Sequence, residues 1–306
     1  MTAPPGRPLK VGIMLPDSER EMGGSSARWS DLLAMATTAE AVGFDSLWVA
    51  DHLIFRFAER EPQGPWECWS LLSALAAVTR RVEIGPLVTC TAFRNPALLA
   101  KFADTVDEIS GGRVILGLGA GWHEPEYRAF GYPYDHRVSR FEEALTIVRG
   151  LLREGHVDFA GAYYQARDCE LRPRGPRRHG PPLMIGSTGK RMLRLAAQHA
   201  DQWNAWGRND PAEISPLRQQ VDAACAAAGR DPATLKRTVS VLVDLPARVG
   251  RPREKPPFLT GTTEQIAAAF RDYAGAGISH IQVVLDPNTV AGIEALAPVL
   301  EDLDRG

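Results

Sequence analysis

The sequence predicts an α/β chain folded as a (β/α)8 TIM barrel. Three observations carry this. Short β-rich runs alternate with helical patterns along almost all of the 306 residues, eight such units can be counted, and the strands are apolar at consecutive positions. Strict alternation implies parallel strands joined by right-handed crossovers. Strands apolar on consecutive positions are covered on both faces. Eight units in this length favour a closed barrel over an open sheet, and barrels of this size run as one unit, so 1–306 reads as a single domain.

The first strand is 10–15 (KVGIML). A helix over 28–42 follows, with Trp29, Leu32, Leu33, Ala36 and Ala39 on one face, and Gly43 stops it. The second strand is 46–50, a helix spans about 66–79, and the third strand is 82–89. Asn95-Pro96 then starts a helix, because Asn caps and Pro fits the first turn. Leu99, Phe102, Val106 and Ile109 form its apolar stripe, and Gly111-Gly112 ends it. The fourth strand is 114–118, and a helix over 141–152 follows behind a Ser139 cap. The fifth strand is 183–186, with a helix over 191–199, and the sixth is 202–205, with a helix near 214–228. The seventh strand is 238–243. Thr262 to Gln265 has capping-box spacing and opens a helix to Ala274. The eighth strand is 280–285, with a last helix near 291–303.

Spacing between strands is uneven. The stretch after strand four is long, with its excess in 122–136 and 155–182, and a second insertion, 246–257 (PARVGRPREKPP), follows strand seven. These segments cannot form a core. They read as candidate lids or substrate loops.

Composition is that of a globular protein, 44% apolar and 24% charged. A net charge of −2 supplies no field for nucleic acid or an anionic membrane. No apolar run is long enough to span a bilayer, and residues 1–8 have no apolar signal core, which points to the cytoplasm. Cys68, Cys90, Cys169 and Cys225 form no CxxC and join no Cys/His cluster, so they read as isolated thiols, with no zinc site.

Catalytic residues in such barrels come from the C-terminal ends of the strands. Asp51-His52 stands after strand two, and Thr89-Cys90-Thr91 after strand three. Gly119-Ala120-Gly121-Trp122-His123-Glu124 follows strand four, and Gly186-Ser187-Thr188-Gly189 follows strand five. Trp203 lies within strand six. His52 is the candidate for acid–base work, since imidazole titrates near neutrality. Asp51 could orient it, or a structural pair could account for both. Phe55, Arg56 and Phe57 follow as candidate pocket borders, with His123 and Glu124 as secondary candidates. Gly119-Ala120-Gly121 has no large side chain, so backbone can approach a flat ligand. It is not a dinucleotide GxGxxG, because Trp122 occupies the sixth position. Gly186 to Gly189 opens a helix and offers free amides and two hydroxyls for a phosphate. No Walker spacing is present, and His123 does not begin an HExxH, since position 127 is Tyr. A metal-dependent hydrolase or isomerase would need more convergent ligands than Asp51 and His52.

Five segments together resemble the bacterial-luciferase-like superfamily, and within it the coenzyme F420-dependent oxidoreductases. They are 48–52 (WVADH), 94–101 (RNPALLAK), 110–113 (SGGR), 117–122 (GLGAGW) and 200–204 (ADQWN), in order over about 9–303. The resemblance implies a flavin-type ring over the C-terminal face of the barrel. Thr89, Cys90 and Thr91 would line one side of it and Ala120, Gly121 and Trp122 another, with Gly186, Ser187, Thr188 and Gly189 at the phosphate. Asp51, His123 and Trp203 complete the implied cofactor set, and His52 would lie near the reactive ring carbon. Some relatives carry a Glu where Ala120 stands, and a ring-contacting Asn where His123 stands. Both departures lead away from sugar-phosphate dehydrogenase chemistry. A non-proline cis peptide is implied around Leu87-Val88.

The resemblance thus implies hydride transfer between F420 and a small organic substrate. The alternative is an FMN-dependent monooxygenase that uses O2 and a partner reductase, and a remoter one is a non-catalytic flavin-binding barrel. Lys190 and Arg191 could serve the glutamate tail of F420. A homodimer is expected by analogy.

Overall fold

The computed structural model describes residues 6–19, 21–22, 25–245 and 258–306. The chain runs β1 (Lys10–Met14), α1 (Trp29–Ala41), β2 (Ser46–Val49), α2 (Cys68–Val78), β3 (Glu83–Pro86), β4 (Thr89–Cys90) and α3 (Pro96–Ser110). It continues through β5 (Leu116–Gly119), α4 (Glu124–Phe130), α5 (Arg137–Glu154), β6 (His156–Ala160), β7 (Gln165–Glu170), β8 (Leu183–Gly186) and α6 (Lys190–His199). The last third is β9 (Gln202–Ala205), α7 (Ile214–Ala227), β10 (Lys236–Asp244), α8 (Thr263–Gly275), β11 (His280–Asp286) and α9 (Val290–Arg305).

Nine parallel strands follow the order β3-β2-β1-β11-β10-β9-β8-β5-β4. β3 and β4 are two halves of one stave, broken at the cis peptide Leu87-Val88. β3 pairs with β2 and β4 with β5, and a parallel bridge from Ile84 to Val114 draws the two ends of the sheet together. The predicted eight-staved barrel is therefore present, and its third strand is split where the resemblance implied a cis bond.

Two apolar layers build it. Alternate strand residues such as Val11, Ile13, Leu47 and Val239 face the helices. Met14, Trp48, Ala50, Leu87, Ile115, Met184 and Val284 fill the interior. Trp48 needs space that two glycines supply: a Cβ on Gly12 would lie 2.6 Å from its Nε1, and one on Gly85 would lie 2.9 Å from its ring. Its indole N–H donates to Ser46 Oγ at 2.7 Å, and that hydroxyl meets His280 Nε2 at 2.8 Å. The interior is thus plugged on the N-terminal side, and the opening lies at the C-terminal ends of the strands.

Three of the signalled caps are present. Asn95 accepts from the N–H groups of Ala97 and Leu98, Gly111 closes α3 in the left-handed region, and Thr262 with Gln265 forms the capping box of α8. Two stripe positions differ from expectation. Trp29 and Ile109 are 40% and 45% exposed, and Met35 and Ala103 take the buried places instead. Ser139 lies inside α5, which begins at Arg137 behind His136.

The stretch 122–136 contains α4 rather than a loop. The stretch 155–182 contains the antiparallel hairpin β6–β7. It leaves and re-enters the barrel on the side opposite the mouth. There Arg177 binds Asp107 and the Val114 carbonyl, and Gly175 N–H donates to Asp104 at 2.8 Å. The hairpin tip is clasped to α5, with the amides of Ala162, Tyr163 and Tyr164 donating to Glu143. At the tip, Tyr163 packs against His136 at the start of α5 (5.7 Å) and under Arg140 (4.4 Å). This segment braces α3 and α5 instead of covering the opening as a lid. The expected insertion at 246–257 lies outside the described residues.

Candidate active site

The strand ends gather an aromatic, histidine-bearing mouth. His52 follows β2, and its ring lies 4.5 Å from Phe55 and 5.6 Å from Trp122. Phe57 stacks on Phe55 (6.1 Å) and on Trp122 (6.4 Å). Trp122 is 55% exposed and forms the open wall. His52 Nδ1 lies 2.9 Å from Glu126 Oε1, and Glu126 Oε2 accepts the Leu53 N–H at 2.9 Å. Glu126 is fully buried at the start of α4. It is the partner of His52 that the sequence reading missed. Glu124, the nearby candidate, points outward and pairs with Arg128.

His123 is buried, and its Nε2 accepts the Arg56 N–H at 2.9 Å. Burial lowers its pKa, which suits a neutral ring acting as acceptor. It anchors the loop carrying Phe55, Arg56 and Phe57.

Asp51 is buried, and its carboxylate is taken up by neighbouring residues. Arg94 closes on it with two nitrogens, and Cys90 N–H donates to Oδ2 at 2.9 Å. Arg94 also reaches Glu67, the N-cap of α2. Asp51 therefore fixes β4 against β2 rather than offering a free oxygen to a ligand. Thr89, Cys90 and Thr91 are all buried. Thr91 Oγ1 reaches the Gly119 carbonyl at 3.4 Å, and the Thr89 hydroxyl finds no partner among the described residues. Cys90 Sγ lies 2.9 Å from the Tyr127 hydroxyl, and burial pushes its thiol up to about 12, which rules it out as a thiolate.

The floor beside His52 is backbone. Tyr127 Oη donates to the Ala120 carbonyl at 2.8 Å and Arg137 to that of Gly121 at 2.6 Å. Gly121 has φ +72°, and a Cβ there would lie 1.8 Å from Tyr127 Oη. Val88, at the split stave, sits among Gly117, Gly119 and Gly186: a Cβ on each would come within 3.0, 2.6 and 3.1 Å of it.

The far side of the mouth is positive in character. α6 starts behind Gly189 with no side-chain cap, so the amides of its first turn have no intrahelical acceptor. Ser187 N–H donates to the Asn204 carbonyl, and Ser187 Oγ takes the Gly189 N–H at 3.2 Å, while Thr188 completes the turn. Trp203 is 1% exposed and faces the helix layer. Its indole N–H donates to the Ser187 carbonyl at 2.6 Å, so it braces this turn from behind instead of lining the site. Next to the turn lies a cleft of about 370 Å³ lined by Tyr134, His136, Arg137, Val138, Ser139 and Arg191. Arg191 reaches Ser139 and Glu142 there. Lys190 is the first residue of α6. Among the described residues no group of His, Cys, Asp and Glu could hold a metal ion, and no helix is long and apolar enough to cross a membrane.

The chain is similar to known proteins. The pyrimidine monooxygenase RutA of Cronobacter sakazakii is 37% identical over 172 residues, 54% of this chain and 50% of that one. The 5,10-methylenetetrahydromethanopterin reductase of Archaeoglobus fulgidus is 33% identical over 194 residues, 63% of this chain and 53% of that one. The chain thus spans about half the length of these curated relatives. An F420-dependent secondary alcohol dehydrogenase, solved with an F420-acetone adduct, superposes with a TM-score of 0.79 at 21% identity, over 97% of this chain and 99% of that one. That likeness shows the same barrel. Residues 9–247 match the family described as luciferase-like monooxygenase, well over half of the sequence, and the chain belongs to that family.

Proposed function

We propose that the protein is an oxidoreductase that moves a hydride between coenzyme F420 and a small organic substrate held at the mouth. One observation carries the reading: a continuous run of contacts joins His52 to the basic cleft. His52 meets Trp122, the Trp122 carbonyl accepts from Tyr134 Oη at 3.0 Å, and Arg137 lies 4.2 Å over the Tyr134 ring. A flat ring beside His52 could therefore send an anionic tail into a cleft edged by Arg137 and Arg191. The residues fit such a ligand. Gly119, Ala120 and Gly121 offer it a floor of backbone, and the uncapped start of α6 offers a seat for phosphate.

When bound, F420 supplies the two-electron hydride chemistry. In this reading His52 exchanges the accompanying proton, Trp122 and Phe57 keep water from the ring, and Ser187, Thr188 and Gly189 hold the phosphate. Asp51 and Trp203 serve by fixing Cys90 and Ser187. The same reading carries a homodimer in the cytoplasm.

A second reading is FMN-dependent monooxygenation. The observation favouring it is the RutA match, which has the higher identity of the two curated relatives given above. Titration of the purified protein with F420 and with FMN, followed by fluorescence quenching, separates the two. F420 binding tighter than FMN binding is expected. Tight FMN binding without F420 binding would overturn the proposal. Binding of either without turnover of any alcohol, carbonyl or enone offered would leave a flavin-binding barrel.

A further inference from the structure

We propose that Glu126 is a positioning residue that locks His52 in one tautomer, with the proton on Nδ1 and Nε2 left as the open acceptor at the mouth. The inference rests on His52 being the proton-exchanging group of the reading above.

The argument is one of counting donors. A carboxylate has only acceptors to offer. Glu126 is fully buried and faces two nitrogens, each at 2.9 Å: the Leu53 N–H, a fixed donor, at Oε2 and His52 Nδ1 at Oε1. The backbone amide cannot reverse its polarity. The contact at Oε1 needs one proton, because two acceptors facing each other at that distance would repel, and with Glu126 as a carboxylate that proton is on Nδ1. A ring flip would present a C–H to Oε1, and Phe55 and Trp122 pack on the ring from two sides. Nε2 makes no hydrogen bond among the described residues, and the side chain keeps 19% exposure. A neutral His52 thus carries its lone pair at the mouth. Once that atom takes a proton, the ring still donates from Nδ1 to Oε1 and its position is unchanged. Acceptor and later donor are the same atom, held in one place.

Substitution by glutamine makes the inference testable, because an amide has one acceptor and one donor face. Leu53 N–H claims the acceptor. The amide NH2 of Glu126→Gln then faces His52 and demands a lone pair on Nδ1, which moves the ring proton to Nε2. The chain has seven histidines, so selective ¹³C/¹⁵N-histidine labelling gives a tractable spectrum, with His52 identified by the resonance that His52→Asn removes. The expected result is the Nδ1–H tautomer in the wild type and the Nε2–H tautomer in Glu126→Gln. A wild-type His52 in the Nε2–H form, or as an even mixture, would overturn the inference. So would an unchanged tautomer in a folded Glu126→Gln. If that variant does not fold, the wild-type spectrum alone decides. The measurement needs no cofactor. A failure of F420 to bind would sink the functional reading and leave the tautomer standing, whereas a wrong tautomer with F420 binding intact would do the reverse.

Discussion

Arg94 grips Asp51 end-on, with Nη1 at 2.6 Å from Oδ2 and Nη2 at 2.8 Å from Oδ1. Burial works against charge on Arg94, yet the contact with Asp51 outweighs it and holds the guanidinium charged. The pair ties β2 to β4 across the split stave, through the Cys90 N–H. Removing one partner of a buried pair leaves the other charge unmet, which costs about 3–5 kcal/mol. Arg94→Ala is expected to lose stability on that scale in urea unfolding. Arg94→Lys should recover only part of it, because a point charge cannot replace a two-nitrogen fork. A loss below about 1 kcal/mol for the alanine variant would show the pair to be dispensable.

Gly121 and Tyr127 compete for one place. The backbone at Gly121 is left-handed (φ +72°), and an added Cβ would lie 1.8 Å from the tyrosine hydroxyl and 2.8 Å from Cys90 Sγ. Left-handed strain alone costs a side chain about 1–2 kcal/mol, and the clash adds to it. Gly121→Ala should therefore lower the melting temperature and weaken cofactor binding. Tyr127→Phe removes the clashing oxygen, so the double variant should lose less than the sum of the two single losses. Simple additivity would mean that the clash is relieved elsewhere.

Much of the barrel is legible because burial on both faces leaves continuous apolar strands, as in β8 and β11, and because Asn95 and Thr262 cap in ways that composition advertises. α4 is not legible. Its buried positions are Glu126 and Tyr127, and a buried glutamate reads as surface. The hairpin β6–β7 is partly exposed along its length, so no apolar face marks it. The same limit applies to the site. His52 and the Gly119–Gly121 floor stand directly after strands and can be found by position. Glu126 is 74 residues from His52 in sequence, and only barrel closure brings the two together. Trp203 and Asp51 stand at the expected strands, but the sequence does not show that Trp203 packs in the helix-facing layer or that Arg94 and the Cys90 N–H occupy the Asp51 carboxylate.

Trp203 offers a way to separate bracing from contact. Its indole N–H donates to the Ser187 carbonyl at 2.6 Å from inside the helix-facing layer. Trp203→Phe keeps most of the apolar volume and deletes the donor, at a cost to stability of about 1 kcal/mol. The expected outcome is a small fall in melting temperature with a larger fall in affinity for F420, read by the same fluorescence titration. Equal F420 affinity in a folded variant would mean that the 186–189 turn holds its shape without this bond.

His280 sets how the barrel answers acid. It is buried beside Ser46 and Trp48, and burial, with Lys10 and Lys236 adding repulsion, lowers its pKa from 6.5 to about 3. An unfolded imidazole keeps the ordinary value. Between the two values the unfolded chain binds a proton that the folded chain refuses, so stability falls as pH drops from about 6.5 toward 3. The slope contributed by this one group reaches at most about 1.4 kcal/mol per pH unit. His280→Gln keeps a polar partner for Ser46 and cannot titrate. Its absolute stability should be lower near neutrality, yet its urea-unfolding free energy should decline less steeply from about pH 6 to about pH 4 than that of the wild type. Parallel declines would mean that other groups carry the acid sensitivity and that His280 is reached by water before the barrel unfolds.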